Sequence, residues 1–508
     1  MKKFLTPILI FLLIDSGSAV AQETDFAGIR DFRNKLLSDP YRPAYHIAIP
    51  EDMAQPFDPD GAIFWNGRYH LFYIYQDHGV HVYGHLSSID LIHWRQHPKA
   101  LFPTGEGGIE GIFSGNCFRG KDGKAVMLFH GVGQGNSIAV SDDPLLDHWT
   151  MLPSNPIVPD PKDAAAKATE EYKEGGAPYA SWDPHGWLQD GTYYAIFGGK
   201  RPAVFKADEL DEWEYVGDLF GEALPGVGEH EDVSCPDMFT LGNRQVLLCI
   251  SHTLGCRYYI GKWDNDHFWP ESHGLMSYCD NTYFAPESVL TPDGRRIMWT
   301  WLFDARNWPE RINSGWYGMM SLPRELFLRR DKTLGMRPVK ELKQLRYNAK
   351  KSGRIKTDNE VVLEGGSGDV KEISFSLKPG KALRSGLRFL SDGKDEYGEV
   401  YYDSARKMIV LDVSRLNAVE MEPLSPLGVP FTKVEEAQYE LPANGRLDFD
   451  VLIDRSIIEV YVNENLALVR TNAFASNGNA RESALFAESG TARFRNVYTW
   501  DIMPSNYY

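Results

Sequence analysis

Five short turn dipeptides divide the middle of the chain into near-equal parts: Asn66-Gly67, Asp122-Gly123, Asp190-Gly191, Gly242-Asn243 and Asp293-Gly294. They are spaced 56, 68, 52 and 51 residues apart, and each joins two apolar, β-rich runs. The first pair reads Gly61-Ala62-Ile63-Phe64-Trp65, then the turn, then Tyr69-His70-Leu71-Phe72-Tyr73. Asn-Gly and Asp-Gly accept the positive φ angles of tight hairpins. A hairpin repeated about every 50 residues is the signature of propeller blades. The expected fold class is therefore all-β: a five-bladed β-propeller over residues 46–335.

About eight positions before each turn stand Asp58, Ser114, Asp183, Ser234 and Ala285. In a propeller the innermost strand of each blade lines the central channel, so these five positions are expected to converge. Asp58 and Asp183 are carboxylates, each followed by proline. Carboxylates brought together from distant segments are what glycoside chemistry requires.

Beyond about residue 351 the pattern changes to alternating strands every 8–12 residues, as in Glu372-Ile373-Ser374-Phe375-Ser376-Leu377. That spacing predicts a β-sandwich over 351–508. Its clearest pair is Phe449–Ser456 followed by Ile457–Val462. A short helical connector is expected over 336–350, and an N-terminal arm over 22–45 with a helix around Phe26–Leu37. The sandwich is expected to be structural and to dock on the propeller through an apolar face.

The first 21 residues fit an export signal: Lys2 and Lys3, an apolar run from Phe4 to Ile14, then Ala19-Val20-Ala21 before Gln22. The run is too short to span a bilayer. A secreted or periplasmic protein is expected, free of the membrane after cleavage. Net charge is −17 without a basic stripe, which argues against nucleic acid as a partner. The five cysteines lack a Cys-x-x-Cys pair, so no structural zinc is expected. One thiol at least must stay free; Cys249 and Cys256 are close enough in sequence to pair, although buried thiols are the simpler expectation. Histidines 78, 81 and 85 lack a carboxylate at ligand spacing, and no metal or other cofactor is expected.

Taken in order, the motifs resemble the family 32 glycoside hydrolases: invertases, inulinases, levanases and other β-fructofuranosidases. Phe57-Asp58-Pro59-Asp60-Gly61 is similar to the family's Asn-Asp-Pro-Asn-Gly. Tyr83-Gly84-His85 with Asp90-Leu91-Ile92-His93-Trp94, Phe113-Ser114-Gly115, Asp183-Pro184 and Cys235-Pro236-Asp237 follow in the family's order. Tyr283-Phe284-Ala285 resembles the fifth blade, and Ile453-Asp454-Arg455-Ser456 with Glu459-Val460-Tyr461 resembles the sandwich motif.

The resemblance implies retaining hydrolysis of an oligo- or polysaccharide, with Asp58 as nucleophile and Asp183 as transition-state stabiliser. It also exposes a departure. The acid/base glutamate of the family is Ser234 here. Losing a general acid costs roughly 10²–10⁴ in rate. Replacement donors are Glu231, Asp232 or His230, just before Ser234, or Asp60, two residues from Asp58. Phe57, Asp60, Ile74 and Trp182 also stand where the family pattern has Asn, Asn, Gln and Arg. Substrate contacts are expected from Asp60, Trp65, Ser114, Trp182, Asp232 and Ser234; Trp94 and Trp187 are further rings able to stack on sugar. The competing expectation is a carbohydrate-binding protein without hydrolytic activity.

Overall fold

The computed structural model describes residues 26–49, 55–105, 107–159, 179, 181–221, 232–252, 254–425, 427–476 and 481–506. The expected signal segment, the charged and Ala-rich stretch 161–176, expected as a surface insertion between the second and third blades, and the acid candidates Glu231 and His230 lie outside these residues. Among the described residues the strands form seven sheets, with only two α-helices, Phe26–Ser38 and Trp308–Ser314.

All five turn dipeptides join the first two strands of a sheet. Three are two-residue loops, with Trp65 paired to Arg68, Gln189 to Thr192 and Leu241 to Arg244. Asn66 and Gly67 take φ of 45° and 80°, and Asp190 and Gly191 take 49° and 84°, as such hairpins demand. Each of the first five sheets is an antiparallel meander. Their opening strands are Gln55–Trp65, Ile112–Arg119, Pro184–Gln189, Ser234–Leu241 and Tyr283–Leu290. These strands touch in ring order, and the fifth closes on the first.

The remaining two sheets have six strands each and enclose a second core around Ile373, Phe375, Leu387, Val451 and Phe494. The expected hairpin is present as Leu447–Asp454 paired with Ile457–Val462. The connector is shorter than expected. Leu334–Pro338 still pairs within the fifth sheet, and Arg346–Thr357 already belongs to the sandwich-side sheet. Only a single 3-10 turn, Lys340–Leu345, stands between them. Polar residues predominate on that first strand, so its pairing is not visible as alternation.

The C-terminal part docks through apolar residues, among them Leu452, Ile457, Tyr461 and Val469, which join the core of the first part. The interface also holds buried charge, which the sequence did not lead us to expect. Arg324 meets Glu459 at 3.3 Å, and Arg470 meets Asp280 at 2.9 Å. His46, just past the N-terminal arm, bridges Asp454 at 2.8 Å and Glu459 at 3.3 Å.

The cysteines are all free thiols. Cys249 and Cys256 lie on adjacent paired strands, but Cys249 faces Arg257 while Cys256 faces Ile250, so the two thiols enter different cores.

Candidate active site

The opening strands are built to aim side chains at the ring centre. Proline has no N–H for the ladder and breaks it locally. Pairing shifts register around Pro59, between Ser234 and Asp237, and between Phe284 and Glu287. Just before the proline, Asp183, Cys235 and Ala285 adopt positive φ of 31°, 44° and 50°. Bulges of this kind re-aim a side chain. The equivalent positions are thus Asp183, Cys235 and Ala285, which corrects the expected alignment of Ser234 with Asp183 by one residue.

Cys235 consequently stands between the two carboxylates. Its Sγ lies 3.6 Å from Asp58 Oδ2 and 3.7 Å from Asp183 Oδ2, and its backbone N–H donates to Asp183 Oδ2 at 3.0 Å. Ser114 adds its hydroxyl to Asp58 Oδ2 at 3.4 Å. Side chains on three of the opening strands, and Asp183 just before a fourth, therefore meet at one point.

The charge there is costly. Burial, then the nearby Asp183, push the Asp58 carboxyl up to about 7. Asp183 is also raised by burial, though the Cys235 N–H works against it. Asp60 sits deeper, 1% exposed, accepting the Gly115 N–H at 3.3 Å; burial and Asp58 raise it well above the carboxylate range. Below lie Asp237, Glu287 and His185, whose ligating atoms are within 4.8 Å of one another. Arg296 supplies positive charge to both carboxylates there, and Ser288 donates to Asp237 at 2.5 Å.

Ser234 is 2% exposed, and its hydroxyl is spent on Asp232 Oδ2 at 2.9 Å. Asp232 accepts further bonds from the His252 N–H at 3.0 Å, His252 Nδ1 at 2.5 Å and Ser251 Oγ at 3.4 Å. Burial opposes its ionisation, yet these partners hold it below the usual carboxylate value. A carboxylate so well satisfied is a poor proton donor, which removes the main reason for casting Asp232 as the acid. His252 was not singled out from sequence. It lies on the loop after the second strand of its sheet, and only strand pairing brings it beside Ser234.

Aromatic rings flank the carboxylates in the chain and pack on one another. Phe57 packs edge-on to Trp301 at 5.1 Å and near His81 at 5.8 Å. Phe113 continues from His81 to Trp182, which lies 4.8 Å from His130. On the other side Trp301 meets Phe284, and Phe284 meets His252 edge-on at 5.8 Å. Ile74 is core.

The other tryptophans lie elsewhere. Trp65 is seven residues along its strand from Asp58, roughly 20 Å at strand rise. It is 6% exposed, bonds the Asp143 carbonyl and carries the Arg119 guanidinium on its ring. Trp94 packs edge-on to Trp299, and Trp187 stacks on Tyr194.

Sequence models of known families match almost the whole chain. The glycosyl hydrolases family 32 N-terminal domain matches residues 51–338, and the family 32 C-terminal domain matches 341–501. The protein belongs to glycosyl hydrolase family 32 and is thereby a glycosidase. Its relatives include the levanase of Bacillus subtilis, 27% identical over 98% of this chain and 74% of that one. A sucrose-6-phosphate hydrolase of Zymomonas mobilis is 26% identical, covering 93% and 94%. Among solved structures, fructan 1-exohydrolase IIa from Cichorium intybus superposes with a TM-score of 0.77 at 20% identity, covering 92% of this chain and 98% of that one. Exo-inulinase from Aspergillus awamori gives 0.74 at 21%, covering 92% and 99%.

Proposed function

We propose that the protein is an exported, retaining furanosidase in which five sheets form a five-bladed β-propeller with a β-sandwich behind it. The carrying observation is the convergence of Asp58 and Asp183 on one thiol, so that their facing oxygens lie no further apart than those two contacts end to end. Asp58 attacks the anomeric carbon from that position. Asp183, pinned by the Cys235 N–H, meets the positive charge that develops on the sugar ring.

The substrate is a furanoside outside the usual sucrose and fructan set. Phe57 and Trp182 offer ring faces where the family pattern has hydrogen-bonding side chains. Stacking and apolar contact then replace polar recognition, and a hydroxyl-reading site is lost. Export is supported by the basic start, the apolar run and the small residues before Gln22. Among the described residues no helix is long and apolar enough to cross a membrane. Sequencing the N-terminus of protein recovered from outside the cytoplasm should give Gln22 as the first residue.

The test of turnover is Asp58→Asn, which should lower hydrolysis of a responsive furanoside by several orders of magnitude with folding intact by circular dichroism. Retained activity in that variant would end the assignment. The buried Ser234 favours one alternative, a binding protein without hydrolytic activity. A glycan panel that finds sugar binding and no turnover, even of aryl furanosides, would select it.

A further inference from the structure

We propose that His252, held by Asp232 beside Ser234, is the proton donor to the glycosidic oxygen and takes the place of the missing glutamate. The assignment rests on the hydrolase reading and deepens it. Three observations carry it. Ser234 stands at the family's acid position, but its hydroxyl points to Asp232. Asp232 turns the same oxygen, Oδ2, to His252 Nδ1 at 2.5 Å, which fixes the ring and leaves Nε2 as the nitrogen for substrate. The His252 side chain is 37% exposed, so its ring is open to solvent beside the more deeply buried carboxylates.

The surroundings favour a charged imidazole. Three carboxylates face it: Asp232 from the entry to its own sheet, Asp58 from the first opening strand and Asp183 just before the third. The neighbouring Phe284 ring is uncharged, and Asn281 bonds only the His252 carbonyl. Burial lowers the imidazole, but the Asp232 hydrogen bond and the three negative charges outweigh it and hold His252 above its ordinary value. An orienting carboxylate on Nδ1 with a donor at Nε2 is the geometry of a general acid.

In the first step an Asp58 oxygen bonds to the anomeric carbon. The bond to the leaving oxygen breaks, and that oxygen takes the proton from His252 Nε2. In the second step water attacks the anomeric carbon, its proton goes to neutral His252, and Asp58 leaves as carboxylate. The products are two sugars, and the enzyme is restored without any other reactant.

The experiment compares wild type, His252→Gln, Asp232→Asn and Glu231→Gln on an aryl furanoside with an activated leaving group and on an unactivated furanoside from the panel. His252→Gln should lose roughly 10²–10⁴ on the unactivated substrate and less than about tenfold on the aryl one. Azide should speed its aryl turnover and yield the glycosyl azide, since no base remains to deprotonate water. A merely structural role would show neither the leaving-group dependence nor the azide product. Asp232→Asn should move the alkaline limb of the pH profile on the unactivated substrate to lower pH, because His252 loses the negative charge that raises it. Equal losses on both substrates, an unmoved alkaline limb, or the leaving-group pattern in Glu231→Gln alone would overturn the proposal. A wild type inert on both substrates would instead overturn the hydrolase reading itself.

Discussion

The residue that departs most from the family, Ser234, is also the one whose reversion tells most. Its hydroxyl lies 2.9 Å from Asp232 in a site 2% exposed to solvent. A glutamate there would face a carboxylate that is already ionised and fully bonded. Like charges in a buried site repel, and one must be neutralised or displaced. Ser234→Glu is therefore expected to lower the melting temperature and to give no sucrose or inulin hydrolysis. Robust hydrolysis of either by this variant would show that the pocket still reads fructose, and would defeat the account of Phe57 and Trp182. At this scale the sequence was partly legible. Asp58 and Asp183 were readable because a proline follows each and the spacing repeats. His252 was not, because it lies 18 residues after Ser234 in a stretch without motif, and its place is set by pairing between Ser234 and Ile250. Trp65 misled for a related reason: an aromatic residue on an opening strand is near the centre only at one end of that strand.

At the scale of elements, what shapes the site is how closely the strands approach behind it. Gly198, at the end of the strand Thr192–Phe197, bonds through its N–H to the carbonyl groups of Trp182 and Asp183. A Cβ on Gly198 would fall 2.6 Å from the Val233 carbonyl oxygen and 3.2 Å from the Asp183 Cβ. Neither neighbour is a flexible side-chain end, so the strands must part and Asp183 must move. Gly198→Ala should cost about 1–3 kcal/mol of stability and, on the proposed role of Asp183, reduce kcat far more than KM, because displacing a stabiliser is felt in the transition state. Unchanged kcat in a destabilised protein would mean that Asp183 tolerates the shift. The hairpins themselves were legible from their turn residues, which carry the positive φ angles the turns need. The bulges were not. They depend on proline and on the partner strand together, which is why the position of Cys235 between the carboxylates emerges only in three dimensions.

Buried charge sits beside the apolar core where the two parts of the molecule meet, and this makes stability depend on pH in a definite direction. His46 is fully buried between Asp454 and Glu459, and both carboxylates are acceptors for other groups: Asp454 for three backbone N–H groups of the same segment, Glu459 for Leu322, Arg324 and Tyr461. Burial alone would lower the imidazole, but the two hydrogen bonds and the two charges raise it to about 9. A histidine raised in the fold stabilises fully below its unfolded value, near 6.5, and that contribution fades as pH climbs through about 9. Asp454 and Glu459 are lowered, so their contribution is present above about 4 and fades in acid. Asp58 works over a different window: raised to about 7, it withdraws stability between its unfolded value and that pH, and is constant above. Melting temperature measured from pH 7 to 9.5 should thus fall, with His46 contributing alongside the thiols of Cys117, Cys235 and Cys256, which burial holds protonated in the fold. His46→Gln should be less stable than wild type near pH 6.5, by a few kcal/mol since two buried carboxylates lose their shared cation. The gap should narrow steadily as pH approaches 9.5. A gap that stays constant over that range would show that His46 does not carry the proton the interface needs, and that the backbone hydrogen bonds to Asp454 and packing hold this segment without it.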